Sequence, residues 1–160
     1  MPMFRDHPIN QNDAMDPMSF VLNIIWLVAG GAVAAFGWFL AAAIMVVTII
    51  GIPFARAAFD NGVYTLWPFG VRAHDRGALY GEDIGTGPLG FIGNVIWFVL
   101  AGWWLALGHL AAAVVLAITV IGLPFAWAHL KLAGYGLWPI GRAVVRHDIG
   151  ERSYAARRRY

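Results

Sequence analysis

The chain contains few residues that do chemistry, and they form no recognisable catalytic group. It has no cysteine, which excludes disulfides, thiolate metal ligands and cysteine nucleophiles. Five histidines are scattered singly, and neither His109 nor His129 has a carboxylate within one helical turn. This spacing favours structural or interfacial histidines over a metal site. We therefore predict no metal, no cofactor and no enzymatic activity.

Residues 85–90 read GTGPLG and match the glycine pattern of dinucleotide-binding loops. Such a loop follows a strand and opens a helix onto a pyrophosphate, with an acidic residue about 20 positions later. Here a polar loop precedes the glycines, Pro88 interrupts them and the region that should carry the acidic residue is apolar. The segment is therefore predicted to be a loop that leads into the third helix.

Polar side chains inside the apolar stretches are the other candidates for function. Two asparagines near the starts of the first helices cap a turn, bond between helices or line a polar path, and bonding between helices is the favoured interpretation. Two threonines are expected to bond back to their own helices, or to line the same path. These residues are Asn23, Asn94, Thr48 and Thr119.

Asp60 and Lys131 occupy matching positions in two similar halves of the chain and carry opposite charges. They are either independent solvated charges, which is the favoured interpretation, or an ion pair between the halves. The ion pair predicts that Asp60→Lys weakens the protein and that adding Lys131→Asp restores it.

The composition places most of the chain in lipid. Hydrophobic residues make up 60% and charged residues 12% of the 160 positions, whereas a soluble domain carries about a quarter charged residues. Two long apolar stretches, residues 18–55 and 89–130, are each too long for one crossing of about 20 residues and suit two.

The two stretches are copies of one unit. A shift of 71 residues aligns residues 23–70 with 94–141, and 21 of these 48 positions are identical. Both copies contain an N-x-I-W segment, an I-G-x-P-F-A segment and a closing W-P-x-G segment.

The shared glycines and prolines predict an all-α integral membrane protein of tandem helical hairpins, with about four transmembrane helices. Gly37 and Gly108 are the predicted hairpin turns, each after a first helix of about 19 residues. A proline is expected to kink each second helix near a membrane face, and an interfacial segment is expected to end at a tryptophan anchor. These residues are Pro53, Pro124, Trp67 and Trp138. An alternative has one long span and one surface helix per copy.

The charges predict the orientation. The predicted turns carry no lysine or arginine, so the tails and the central loop are expected to be cytoplasmic in a multi-pass inner-membrane protein. The expected segments are a flexible tail (1–17), the first membrane unit (18–70), a cytoplasmic linker (71–88), the second membrane unit (89–141) and a basic tail (142–160). Basic residues of the last segment are expected to contact anionic lipid headgroups, and no nucleic acid is expected. They include Arg142, Arg146, Arg157, Arg158 and Arg159.

The N-V-I-W segment at residues 94–97, the run TVIGLPF at 119–125 and the closing HLKLAGYGLWPIGR at 129–142 resemble the signature of the YccF family of bacterial inner-membrane proteins. The resemblance covers almost all of residues 23–142 in two copies. It implies a membrane domain with about two spans per copy, and it implies no reaction, ligand or catalytic residue.

Two functions are consistent with the sequence. The first is a channel or transport protein that works as a homo-oligomer without proton coupling, because no aspartate or glutamate lies within the apolar stretches. The second is a structural or accessory membrane protein that binds lipid or a partner protein. Small-xxx-small spacings, such as Gly31 with Ala35, predict close helix packing in either case.

Overall fold

A computed structural model describes residues 16–48 and 51–146. The predicted N-terminal tail up to residue 15 and the arginines beyond residue 146 lie outside these ranges. The same order of helices occurs twice, and each set is followed by a short strand. The elements are α1 (Pro17–Trp26), a π-helical segment (Leu27–Gly31), α2 (Ala32–Val47), α3 (Ile52–Leu66), β1 (Val71–Asp75), α4 (Arg76–Tyr80), α5 (Pro88–Trp97), a second π-helical segment (Phe98–Gly102), α6 (Trp103–Ala117), α7 (Leu123–Leu137) and β2 (Arg142–Arg146).

The first three elements of each copy join into one long helix. These helices, Pro17–Val47 and Pro88–Ala117, contain 31 and 30 residues and are long and apolar enough to cross a membrane. From residue 17 to 47 and from 88 to 117, every exposed position carries an apolar or aromatic side chain, a proline or a glycine. In water such a surface would be strongly unfavourable, whereas in lipid it is expected.

The predicted hairpin turns at Gly37 and Gly108 are wrong, because both glycines lie inside α2 and α6. A glycine in a helix costs only about 1 kcal/mol relative to alanine, so one residue does not end a strongly apolar helix. No atom lies within 4 Å of where a Cβ would stand at either glycine. Nothing in their surroundings therefore requires a glycine.

α3 packs on α2 and α7 packs on α6, so the chain reverses between Val47 and Ile52 in the first copy and between Ala117 and Leu123 in the second. A Cβ on Gly51 would lie 2.6 Å from the carbonyl oxygen of Met45, and Gly122 is as crowded. These are the glycines that a tight reversal needs.

The prolines do not kink a helix as predicted. Pro53 and Pro124 lie in the first turns of α3 and α7, where a missing N–H costs nothing. From there α3 and α7 return along α2 and α6. The small-xxx-small prediction matches this packing, since Gly31 and Ala35 are buried. The predicted placement of these segments at the membrane interface stays a prediction.

An asparagine closes each helical hairpin. Asn23 Nδ2 donates to the carbonyl oxygen of Phe69 at 3.0 Å, and the Phe69 N–H donates back to Asn23 Oδ1 at 3.0 Å. Asn94 makes the same two bonds to Ile140, at 2.9 and 3.0 Å. We call each pair of bonds an asparagine clamp. In both copies the clamped residue belongs to a W-P-x-G turn that ends in a glycine with φ of 82°.

Two strands contradict the all-α prediction. β1 and β2 form an antiparallel pair in which Ala73 faces Val144, Val71 faces Arg146 and Asp75 faces Arg142. Ala73 and Val144 are separated by the repeat shift of 71 residues, so the strand pair is centred on an approximate two-fold axis. The predicted linker and the start of the predicted basic tail thus join the two copies.

Contacts between the copies follow the same symmetry. Tyr64 packs edge-to-face on its own counterpart Tyr135, with ring centroids 5.6 Å apart. Trp26 of the first copy stacks on Phe125 of the second at 6.3 Å, and Trp97 of the second stacks on Phe54 of the first at 6.2 Å. The described copies therefore pack as one unit around a shared aromatic core.

We predict that Asn23→Ala lowers the free energy of unfolding by about 3 kcal/mol, because it leaves the buried N–H and carbonyl of Phe69 unpaired. Unfolding is followed in detergent by circular dichroism. Thr48→Ala is the control, since Thr48 is exposed and its hydroxyl donates to Met45 O three residues earlier, and it should change stability by less than about 0.5 kcal/mol. Equal effects of the two variants would contradict a structural role for the clamp.

Candidate functional site

The copies differ most where Lys131 and Asp60 stand at matching positions. Lys131 Nζ donates to the carbonyl oxygens of Pro68 and Val71 in the first copy, the second bond measuring 3.3 Å. The ammonium also lies 5.7 Å from the ring centre of Tyr64. Lys131 thus joins the second copy to the turn and strand of the first.

Asp60 has no such role, because a carboxylate cannot donate to carbonyl oxygens. It pairs with Arg56 on its own helix, with 3.8 Å between Arg56 Nε and Asp60 Oδ2. The alternative of an ion pair between Asp60 and Lys131 is not formed, since each has another partner. The favoured alternative of solvated charges does not describe Lys131 either, because Lys131 is half-buried and bonds to backbone. The approximate symmetry places each of them beside the other copy's W-P-x-G turn, but only Lys131 bonds to it.

A groove remains open on the Asp60 side of the axis. Its volume is about 700 Å³ and its apolar wall comes from α3 of the first copy and α5 of the second, including Phe54, Ile92 and Ile96. Its polar lining consists of Arg56, Asp60, Arg76, Asp83 and Arg142, which sum to one net positive charge. We call this cavity the arginine groove.

Three arginines in the groove have different surroundings. Arg76 is buried and its Nη2 donates to Asp83 Oδ1 at 2.6 Å. Arg56 is two-thirds exposed and weakly paired with Asp60. Arg142 is half-buried and forms no ion pair with any residue in the described ranges. An anion entering the groove would therefore meet one unpaired guanidinium and one exposed guanidinium.

Asp83 organises the loop that borders the groove. Its carboxylate accepts hydrogen bonds from Arg76 and from the N–H groups of Gly85 and Thr86, at 2.8 and 3.1 Å. The Arg76 hydrogen bond, followed by the backbone bonds, holds the pKa of Asp83 below its usual range. Residues 85–90 form this loop and the start of α5, which begins at Pro88 as the sequence predicts.

The residues predicted to line a polar path do not share one. Asn23 and Asn94 are almost fully buried, and each bonds to the backbone of a W-P-x-G turn, as in the alternative in which the asparagine caps a turn. Thr48 donates to Met45 O at 3.0 Å, and Thr119 makes the matching bond within its own helix. Both threonines are exposed at the hairpin turns, far in sequence from the clamps.

The predicted surface anchors have mixed outcomes. Trp67 and Trp138 are half-buried at the ends of α3 and α7, and Trp138 packs on Phe91 with centroids 5.6 Å apart. Their contact with a membrane interface stays a prediction. Arg142 and Arg146 form the two ends of β2, which the sequence analysis placed in a tail.

The structure brings together two histidines that the sequence analysis treated singly. His109 Nδ1 and His129 Nδ1 are 2.9 Å apart. They border a cavity of about 400 Å³ that is also lined by Trp26, Thr65 and Phe125, and we call it the histidine chamber. Twenty residues separate the histidines, so a search within one helical turn misses them. A sequence search could have found the pair only by placing the two histidines opposite each other on the two antiparallel helices of one hairpin.

Long helices with apolar outer faces, joined by one sheet on an approximate two-fold axis, define an integral membrane protein of two related helical units. The family model for the YccF inner membrane component domain matches this chain twice, at residues 21–71 and 92–142. The chain belongs to this family.

Two relatives carry the name inner membrane protein YccF, one from Escherichia coli strain K12 and one from Shigella flexneri. Each is 35% identical over 147 residues, which cover 89% of this chain and 99% of the relative. The family resemblance inferred from the sequence is therefore confirmed. No solved structure matches the chain.

We predict that Lys131→Met lowers the free energy of unfolding by about 2–3 kcal/mol, because it removes the charged donor to Pro68 and Val71. Adding Asp60→Lys to Lys131→Asp should restore none of the stability that Lys131→Asp loses. Chemical unfolding of the variants in detergent measures both effects. Recovery in the double variant would instead support the ion pair between the copies.

Proposed function

We propose that this protein binds an anionic lipid in the arginine groove. The observation that carries the proposal is a groove of about 700 Å³ that combines an apolar wall with Arg142, an arginine without an ion-pair partner among the described residues. Acyl chains suit the apolar wall, and a phosphate suits the guanidinium groups of Arg142 and Arg56. The groove thus matches both halves of one amphiphile.

The asymmetry of the copies supports a single lipid site. On one side of the axis Lys131 occupies the carbonyl oxygens of the opposite turn. On the other side Asp60 turns to Arg56 and leaves the space beside Pro139 and Arg142 open. One groove is therefore available where a perfect repeat would have two equivalent ones.

The same geometry supports a proposal for the membrane arrangement. Each asparagine clamp brings the start of a long helix beside the end of its return helix. Both ends of each hairpin therefore lie on the same side as the sheet. The sheet region carries Arg72, Arg76, Arg142 and Arg146, and the described hairpin turns carry no lysine or arginine. By the positive-inside rule we place the sheet in the cytoplasm, with both tails on the same side.

Lipid binding takes precedence over a channel made by several copies. A pore needs polar groups facing its axis, and the exposed faces of both long helices are apolar or aromatic. The asparagines that were candidates for such a pore are occupied by backbone. The same apolar faces suit contact with lipid or with further copies of the chain.

We predict that Arg142→Gln reduces the retention of phosphatidylglycerol or cardiolipin by at least fivefold, measured by native mass spectrometry of protein released from mixed micelles. Phosphatidylcholine should be retained weakly by both proteins. Arg72→Gln is the matched control, because Arg72 is an exposed arginine of the sheet that does not line the groove. Equal losses in both variants would show general surface attraction and contradict a groove site.

The orientation is tested by single cysteines, since the chain has none of its own. Gly81→Cys lies in the loop beside the sheet and should react with an impermeant maleimide only after the inner membrane is opened. Val120→Cys lies at the second hairpin turn and should react with the maleimide before the inner membrane is opened. Labelling of Gly81→Cys in intact spheroplasts would contradict the cytoplasmic placement.

A further inference from the structure

A buried row of polar groups at the interface of the copies has no hydrogen-bond partner in the described part of the chain. Asn61 and Thr65 of α3 are each about 1% exposed, and no hydrogen bond reaches Asn61 Nδ2, Asn61 Oδ1 or Thr65 Oγ1 from the described part of the chain. The hydroxyl of Tyr135 on α7 is buried and unpaired in the same way. A buried polar group without a hydrogen-bond partner is destabilising, and ordered water is the usual partner.

The row lies between the two cavities. Ala57, Asn61 and Thr65 are spaced by four residues and share one face of α3. Ala57 borders the arginine groove at one end, and Thr65 borders the histidine chamber at the other. Asn61, with both amide atoms unsatisfied, stands between them. Water on this face would therefore connect the cavities.

Each copy supplies a different part of this arrangement. The counterparts of Asn61 and Thr65 in the second copy are Leu132 and Gly136, which bring no polar side chain. The counterparts of His109 and His129 in the first copy are Trp38 and Ala58. The combination of the polar row with the histidine pair therefore occurs on one side of the approximate two-fold axis and not on the other.

The histidine pair has the geometry of a proton relay. With 2.9 Å between the two Nδ1 atoms, one proton lies between them, on one ring or the other. When a proton binds Nε2 of the ring that donates, the shared proton moves to the partner's Nδ1, and the partner releases its own Nε2 proton. One proton enters, one shifts and one leaves, so no other reactant is needed.

We propose that water fills the row from Ala57 to Thr65 and carries protons between the arginine groove and the pair of His109 and His129. The charged groups at the groove end of the row are Arg56, Asp60, Arg76 and Arg142. No charged side chain in the described ranges lines the histidine chamber. Lys131, two residues beyond His129 on α7, is held by the carbonyl of Pro68.

This path bears on proton coupling. The expectation that the protein lacks it rested on carboxylates alone, and the histidine pair supplies a titrating group that a search for aspartate and glutamate does not detect. The path opens into the arginine groove, but Asn61, Thr65 and the two histidines do not line that groove, so their substitution tests the path separately from lipid binding.

The test is the exchange of histidine ring protons with water, followed by nitrogen-15 NMR of the full chain in phospholipid nanodiscs. The signal of the shared Nδ1 proton is assigned by its loss in His129→Ala. In the native chain this proton should exchange with water, and Asn61→Leu should slow the exchange at least tenfold. Leucine is the residue at the matching position of the second copy, which favours a folded variant.

Two further variants keep the test decisive. Thr65→Val removes the other unpaired group of the row and should also slow exchange, whereas Arg72→Gln, which lines neither cavity, should leave it unchanged. Phosphatidylglycerol retention of Asn61→Leu should equal that of the native chain, which separates this proposal from the lipid site. A ring proton that does not exchange in the native chain, or that exchanges as fast in Asn61→Leu and Thr65→Val as in the native chain, overturns the path.

Discussion

The asparagine clamp is the interaction on which the rest of the structure depends. A helix that enters lipid must end its backbone hydrogen bonding somewhere, and the W-P-x-G turn would leave a buried N–H and carbonyl unpaired there. Asn23 and Asn94 satisfy both groups at once, and in each copy 46 residues separate the asparagine from the residue that it binds. The clamp sets the direction in which each chain leaves its turn, and so it positions β1 and β2 to pair.

The strand pair then determines where the two copies meet. Because Ala73 faces its own counterpart Val144, both copies approach the axis with the same surface, and Tyr64 meets Tyr135. Identical residues at such an interface would produce two identical grooves. The differences at Asp60 and Lys131, and at Asn61 and Leu132, produce one arginine groove and one buried polar row instead. Both proposed sites therefore depend on positions at which the copies differ.

The membrane class, the family and the two membrane units follow from the sequence, because apolar length and the repeat of 71 residues are properties of the whole chain. The turns do not follow, because Gly37 and Gly51 recur equally in both copies and only the crowding around Gly51 shows which one is required. The role of Pro53 was misjudged for the same reason: a proline that begins a helix and one that kinks a helix look alike until the turn is placed.

The candidate site was less accessible to sequence reasoning. The strands Val71–Asp75 and Arg142–Arg146 are only five residues long, and the sequence of the second does not alternate between apolar and polar residues. Only the W-P-x-G turn before each segment indicated that the two segments occupy equivalent places in the two copies. The two histidines and the bonds of Lys131 depend on contacts across 20 to 63 residues. A pattern within a short stretch of sequence cannot indicate contacts between residues so far apart in the chain.

The central claim is that divergence of the two copies makes one anionic-lipid site. An electron cryomicroscopy structure of the full chain in nanodiscs containing phosphatidylglycerol tests it most directly. The account predicts headgroup density beside Arg142 in the arginine groove, and none at the symmetric position where Lys131 bonds to Pro68. Lipid at both positions, or at neither, would contradict it.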